Sequence, residues 1–267
     1  MTDDAIAQAG LVLLGCGKMG SAMLKGWLDG GVPAGSVHVL DPAPSDWLRG
    51  TGVHLNGDLP DAPAVALIAV KPQMMGEALP RLRALGGGGT LFVSVAAGTT
   101  IAALEEAFGA GTPVVRAMPN TPAAIGRGIT AIVGNDAAGA EGLDVAEGLL
   151  RAMGEVVRLE AEGQIDAVTG VSGSGPAYVF HMIETLAAAA EAEGLPADLS
   201  MQLAVATVAG AGALAQESGE SPEQLRVNVT SPNGTTQAGL EVLMPEMGDL
   251  MRRTVAAAAG RSRELRG

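Results

Sequence analysis

A chain of 267 residues, 48% hydrophobic, has room for roughly two domains with buried cores; aromatics make up only 2%, so Ala, Leu, Val and Met build those cores and 39 glycines let backbones approach. A formal net charge of -13 repels phosphate backbones and anionic membrane surfaces, which excludes a nucleic-acid partner and a polybasic membrane role. The single cysteine, Cys16, rules out an internal disulfide, and the scattered His38, His54 and His181 give no metal-ligand spacing, a pattern that fits a reducing cytoplasm.

The opening "MTDDAIAQAG" carries acids where a secretory signal needs a basic start, which argues against secretion. Short runs then alternate with amphipathic segments at 18–29, 73–85 and 99–108: "LVLLG" (11–15), "VHVL" (37–40), "AVALIAV" (64–70), "LFVSV" (91–95) and "PVVRAM" (113–118). Strands with little alternation, separated by helices, predict a parallel sheet covered on both faces. "GITAIVG" (128–134) and "EVVRLE" (155–160), around a helix over 138–153, extend that sheet at one edge. The expected fold class is α/β, with an N-terminal doubly wound sheet over 1–161 and an all-α domain over 162–267.

Past Glu160 the strand signal stops. Pro176 stands just inside a helix start, Gly194 and Pro196 close that helix, and Asp198 or Ser200 caps the next, which reaches Ser218. "SPEQL" (221–225) repeats the pattern of a cap followed by proline; one helix then follows Gly234, and another spans 246–265. The apolar run "LAVATVAGAGALA" (203–215), flanked by Gln202 and Gln216, is too short for a bilayer span and reads as a buried helix.

The first chemical motif, "LVLLGCGKMGSAM" (11–23), sets Gly15, Gly17 and Gly20 between a strand and a helix. In that setting the first glycine allows a tight turn, the second lets backbone approach a pyrophosphate, and the third permits close helix packing while N-terminal amides face the anion. A glycine-rich turn without a ligand is the bland alternative; Asp41, closing the second strand, favours the dinucleotide. Its carboxylate suits the ribose 2'-OH of NADH and repels the 2'-phosphate of NADPH, yet Pro42 follows at once and can turn it away, so both cofactors stay open. Cys16 reads as a small loop filler, with no neighbouring histidine to make it a nucleophile.

"AVKP" (69–72), "VSVAAG" (93–98) and "RAMPNTP" (116–122) end the third, fourth and fifth strands on the carboxyl edge, where open α/β sheets place ligands. Lys71 is either a cofactor contact or a solvated cation. "VSGSGPAYVF" (171–180) reads as a loop opening a helix at Pro176, with Ser172 and Ser174 offering hydroxyls to a small anion or forming a plain N-cap. "NVTSPNGTTQAGL" (228–240) contains two N-x-T acceptors, but without secretion they read as turn chemistry that presents Thr235 and Thr236 at a helix start. Paired carboxylates, a Ser-His-Asp order and a Cys-His pair are all missing from the sequence pattern, so the chemistry points to a nicotinamide rather than to hydrolysis.

Taken together, "GCGKMG", "AVKP", "VSVAAG", "RAMPNTP", "AVTGVSGSGPAYVF" and "VTSPNGTTQAGLEVL" resemble pyrroline-5-carboxylate reductase, over about residues 10–265. The resemblance implies a Rossmann domain and a helical domain that interleaves with its partner's, giving a homodimer or a larger homo-oligomer built from dimers. It implies hydride transfer from NADPH or NADH to the protonated cyclic imine, forming L-proline. Gly15, Cys16, Gly17, Lys18, Met19 and Gly20, with Asn56, Ala69, Val70, Lys71, Pro72, Ala96, Ala97 and Gly98, match the family's cofactor contacts. Asn228, Thr235 and Thr236 match its substrate loop, where Thr236 either relays a proton to the imine nitrogen or only orients the ring. Two departures stand out: Asn233-Gly234 replaces the common Gly-Gly, and Asp41 stands where many relatives have a neutral residue. Other readings are a reductase of another cyclic imino acid, or a non-catalytic NAD(P)-binding regulatory protein.

Overall fold

In the computed structural model, which describes residues 2–266 and side chains over 6–266, helix α1 (Thr2–Ala9) leads into strand β1 (Leu11–Leu14), whose four residues are all buried. Helix α2 (Lys18–Asp29), strand β2 (Val37–Leu40), helix α3 (Asp46–Arg49) and strand β3 (His54–Leu55) build outward on one side of β1. The chain then crosses back and lays down β4 (Val65–Ile68), helix α4 (Met75–Ala78), β5 (Leu91–Ser94), helix α5 (Ile101–Phe108) and β6 (Val114–Met118) on the other side. Strand β7 (Gly128–Gly134), helix α6 (Gly139–Leu150) and strand β8 (Gly154–Arg158) complete it. Among the described residues the strand order is β3-β2-β1-β4-β5-β6-β7-β8, parallel from β3 to β6, with β7 antiparallel to β6 and β8 parallel to β7.

Alternation along the strands divides the core into two layers. Leu11, Leu13, Val37, Val39, Val65 and Leu67 face one layer, filled by Met23, Leu24 and Trp27 of α2 and Leu149 and Leu150 of α6. Val12, Leu14, Ala66, Ile68 and Phe92 face the other, filled by Leu82, Leu85, Leu104 and Phe108. Each fully buried Leu or Phe contributes about 1.5–3 kcal/mol. Trp27 also donates its indole N–H to the Leu149 carbonyl at 2.8 Å, which ties α2 to α6.

Three elements differ from the sequence expectation here. Helix α1 and the two-residue β3 carried no periodic signal long enough to read. The single helix expected over 73–85 is a 3-10 turn at Pro72–Met74, one α-helical turn in α4, and a 3-10 stretch at Leu79–Leu85. Pro80 has no amide hydrogen to donate and Gly76 weakens helix propensity, so the segment tightens instead of propagating.

A 3-10 turn at Glu162–Gln164, helix α7 (Ile165–Val168) and a π-helical turn at Thr169–Gly173 precede α8 (Gly175–Ala192). The expected Gly/Ser loop is therefore helical. Thr169 Oγ1 donates to the Ile165 carbonyl at 2.8 Å and Ser172 Oγ to the Val168 carbonyl at 3.2 Å, hydroxyl bonds to the preceding turn that accompany its widening. Helix α9 (Ala197–Glu217) starts directly after Pro196, its N-cap, one turn earlier than a Ser200 cap requires; Asp198 lies in its first turn and Ser200 is buried. Helix α10 (Pro222–Asn228) is capped by Ser221, whose Oγ accepts from Gln224 N at 3.2 Å, as its sequence predicts. Helix α11 (Thr235–Glu264) is one element, not two: it continues through Pro245, which removes one intrahelical bond from 30 residues.

The chain divides into two compact units, one of Met1–Gly173 with Ala258–Gly267 and one of Ser174–Ala257. The sequence expectation put the change at 161–162; the helical residues 162–173 belong with the sheet because they pack on it, the Gly173 backbone lying so close to Met118 that a Cβ would come within 2.7 Å of its Cε. In the second unit α8 packs on α9, but Val179, Phe180, Met182, Leu199, Leu203 and Val205 are exposed. The run 203–215 is thus a surface helix in the chain, not a buried one. Helix α9 has 21 residues, and an 18-residue stretch of it has a mean hydropathy of 1.3, which by length and composition alone is enough to cross a membrane.

Candidate active site

The sheet register places Leu14, Leu40, Ile68, Ser94 and Arg116 on one row across five parallel strands. The residues just beyond, Gly15, Asp41, Ala69 and Val95, therefore leave the sheet along one edge. The ladder extends by one more bond at three of them: Gly15 N donates to Leu40 O at 2.8 Å, Ala69 N to Leu14 O at 2.8 Å and Val95 N to Ile68 O at 3.0 Å. Between β1 and β4 the direction of strand addition reverses, the switch point at which such sheets open a crevice.

The three glycines of the first turn separate by what surrounds them. Gly15 has φ +90, and a Cβ on it would lie 2.8 Å from Val70 Cγ1. A Cβ on Gly20 would overlap the Gly15 carbonyl oxygen. Both are demanded by the protein's own packing. Gly17 is different: a Cβ there would meet nothing within 4 Å. As N-cap of α2 it also brings no side chain to the first-turn amides, so the turn offers free backbone to an approaching anion. The residues present fit a dinucleotide pyrophosphate. Lys18 is exposed beside Gly17 and Met19 half-buried behind it.

Asp41 faces inward. It is 9% exposed; Oδ2 accepts from Cys16 N at 2.7 Å and Oδ1 from Ala43 N at 2.8 Å. Asn56, held at φ 54, exchanges two bonds with the Asp41 backbone, accepting from its N at 2.9 Å and donating to its O at 2.8 Å. The carboxylate expected to meet a ribose is thus first a clamp joining the glycine turn to the end of β2, and Asn56 braces that clamp. The Cys16 thiol is pushed up to about 11 by burial and then by the Asp41 carboxylate, so it stays protonated at neutral pH, consistent with a loop filler.

After β4, Ala69 and Val70 are half-buried, and Lys71 and Pro72 are exposed at the start of a 3-10 turn. After β5, Ala96 is buried, Ala97 exposed, and Gly98 turns at φ +78. Thr100 caps α5, its side chain accepting from Ala103 N at 3.2 Å. Two residues that sequence reasoning missed stand behind this turn. Arg116, 2% exposed, donates to Glu162 Oε1 at 2.7 Å, and the same oxygen accepts from Ile101 N at 2.9 Å. No local pattern marks either side chain, because the partners are 46 and 61 positions apart.

Within the second unit, the stretch 228–236 makes a tight turn. Asn233 has φ 56, and Gly234 N donates to Ser231 O at 3.0 Å, with Ser231 Oγ occupying the place a Gly234 side chain would need. Asn therefore supports the left-handed geometry that this turn requires. Gln237 reaches back to accept from Asn233 N at 2.8 Å, and Thr235 and Thr236 stand exposed at the start of α11. Asn228 is already engaged: it accepts from Gln224 Nε2 at 2.7 Å and donates to Glu220 Oε2 at 2.8 Å. Ser172 is likewise bonded to Val168, and Ser174 makes no side-chain cap bond. The serine pair does not form the open hydroxyl-lined loop expected from sequence. Among the described residues, no group of three or more His, Cys, Asp or Glu side chains is placed to hold a metal ion.

Residues 162–265 match the protein family described as pyrroline-5-carboxylate reductase dimerisation. The chain is 36% identical over 262 residues to the pyrroline-5-carboxylate reductase of Pseudomonas aeruginosa, covering 96% of each sequence. Its structure is similar to that of a pyrroline-5-carboxylate reductase from Coxiella burnetii, with a TM-score of 0.91 at 32% identity over 97% of this chain and 99% of that one. It is also similar to the Plasmodium falciparum pyrroline carboxylate reductase with NADP bound, with a TM-score of 0.83 at 27% identity over 97% and 98% of the two chains.

Proposed function

The chain belongs to the pyrroline-5-carboxylate reductase family, and we infer that it performs that family's reaction, the reduction of 1-pyrroline-5-carboxylate to L-proline with NADPH or NADH. Similarity along 96% of the chain carries this reading, and the glycine turn with Gly17 facing open space supports it at the level of single residues. The nicotinamide supplies the hydride. The chain supplies placement.

Gly15, Gly17 and Gly20 with the first amides of α2 hold the pyrophosphate. The loops of Ala69, Val70, Lys71 and Pro72, and of Ala96, Ala97 and Gly98, line the rest of the cofactor. Asp41 and Asn56 keep the glycine turn in shape. The substrate carboxylate lies on the amides of Thr235 and Thr236 at the positive end of α11, a 30-residue helix. An imine accepts hydride only once its nitrogen is protonated; threonine is a weak acid, so Thr236 orients a ring that takes its proton from water. Asn228 anchors the end of α10 through Gln224 and Glu220 instead of reaching the substrate. Ser172 and Ser174 support the π-helical entry to α8.

The exposed apolar residues of α8 and α9 suit a second copy of the chain, since they lie within the segment matching the dimerisation family. A homodimer is the unit, with larger assemblies built from it. A single cysteine with no disulfide partner in the chain supports a reducing compartment, and a cytoplasmic enzyme fits that reading.

Thr236→Ala tests the substrate half of this assignment. Losing a hydrogen bond to a charged ring lowers kcat/KM for the imine by roughly tenfold or more, while the Kd of the cofactor holds within about twofold. Unchanged imine kinetics would remove the 228–236 turn from the substrate site.

A further inference from the structure

A buried carboxylate is costly unless it is paired, and Asp166 is 2% exposed. Its partners come from the far end of the chain: Ser262 Oγ donates to Oδ1 at 2.8 Å, and Arg266 Nη2 lies 2.7 Å from Oδ2 without aiming a hydrogen at it. These contacts pin the last turn of α11 and the residues after it to α7. The pinned segment also touches the ligand edge of the sheet. A Cβ on Gly98 would lie 3.0 Å from the Leu265 carbonyl oxygen, so the C-terminal backbone rests directly on the turn that follows β5. One helical turn before Asp166, Glu162 holds the other end of the same loop through Ile101 N at 2.9 Å.

We propose that Asp166, Ser262 and Arg266 form a latch that uses the C-terminal backbone at Leu265 to position the loop 96–101 for the cofactor. Glu162 fixes the loop at its helical end, the latch fixes it at Gly98, and exposed Ala97 is left as the crest between two held points. All of these residues belong to the first compact unit. A staple that served stability alone could lie anywhere on that unit; this one bears on a strand-end loop of the ligand edge. Asp166, Ser262 and Arg266 are therefore positioning residues, acting through the loop and not on the reacting atoms. The inference rests on the assignment of Ala96, Ala97 and Gly98 to the cofactor.

The test compares full-length Asp166→Asn, Arg266→Gln and Gly98→Ala with the unchanged chain, titrating NADH and NADPH and measuring kcat, both KM values and the thermal midpoint. Expected for Asp166→Asn and Arg266→Gln is a rise in cofactor Kd and KM of roughly two- to thirtyfold, similar for both cofactors, with the KM of the imine unchanged. Arg266→Lys restores most of what Arg266→Gln loses. A lower thermal midpoint with cofactor Kd unchanged overturns the latch and leaves an ordinary staple. If Gly98→Ala weakens cofactor binding and the latch variants do not, the latch fails while the loop assignment stands. If Gly98→Ala leaves cofactor binding intact, the loop assignment itself fails and takes the latch with it. Should Asp166→Asn not fold, Arg266→Gln and Ser262→Ala decide the matter in the same way.

Discussion

At the scale of the residue, Asp41 shows how a position can be legible and its orientation not. Its place at the end of β2 marks it as the acidic member of the dinucleotide fingerprint. Its bonds to Cys16 N and Ala43 N lie in coordinates that spacing does not encode. Asp41→Ser removes both acceptors from a nearly buried site, so the glycine turn loosens for either cofactor. The expected outcome is a Kd rise of about tenfold or more for NADH, a smaller loss for NADPH because the repulsion of its 2'-phosphate goes too, and a lower thermal midpoint. An unimpaired NADH Kd in that variant would show that the carboxylate does not hold the turn. The glycines were more fully legible than Asp41, because each of their requirements is local: a positive φ at Gly15 and backbone overlap at Gly20. Ser172 was legible as a polar hydroxyl but not as one whose proton is already engaged, since a serine hydroxyl inside a helix readily donates to the carbonyl four residues back.

At the scale of the element, the buried strands were legible because a strand covered on both faces is a short apolar run, and five such runs stand between helical segments. What escaped was short, or decided by contacts distant in sequence: β3, the 3-10 stretches around α4, and the π-helical turn before α8. Pro245 misled in the other direction, since flanking helix absorbs one missing bond. The tie between β6 and α5 was invisible in sequence and has the largest energetic consequence. Glu162 pairs with Arg116, which is 2% exposed, and also accepts the first-turn amide of Ile101 at the positive end of α5. Glu162→Ala leaves the guanidinium buried without its partner, and the expected loss is about 3–5 kcal/mol in urea denaturation. A loss below about 1 kcal/mol would mean that Arg116 finds solvent or another acceptor.

At the scale of the whole molecule, the sequence marked a sheet followed by helices, but the units mix the ends of the chain: the last turns of α11 belong with the sheet. Composition pointed to two domains with buried cores, whereas the second unit has little interior of its own: Ala187 and Ala204 are buried while Phe180 and Leu203 are exposed. The match of this segment to a dimerisation family points to another copy as its cover, so the chain is expected to remain at least dimeric on dilution to micromolar concentration in sedimentation experiments. Leu203→Glu, placing a charge on the exposed face of α9, is expected to shift it toward monomer with loss of turnover; a variant that stays dimeric and fully active would move the interface elsewhere. The most direct measurement of the central claim is steady-state kinetics on 1-pyrroline-5-carboxylate with NADH and NADPH in parallel. The account predicts saturable cofactor oxidation that depends on the imine and yields one L-proline per cofactor consumed. Cofactor binding without imine-dependent oxidation of either nucleotide would contradict it.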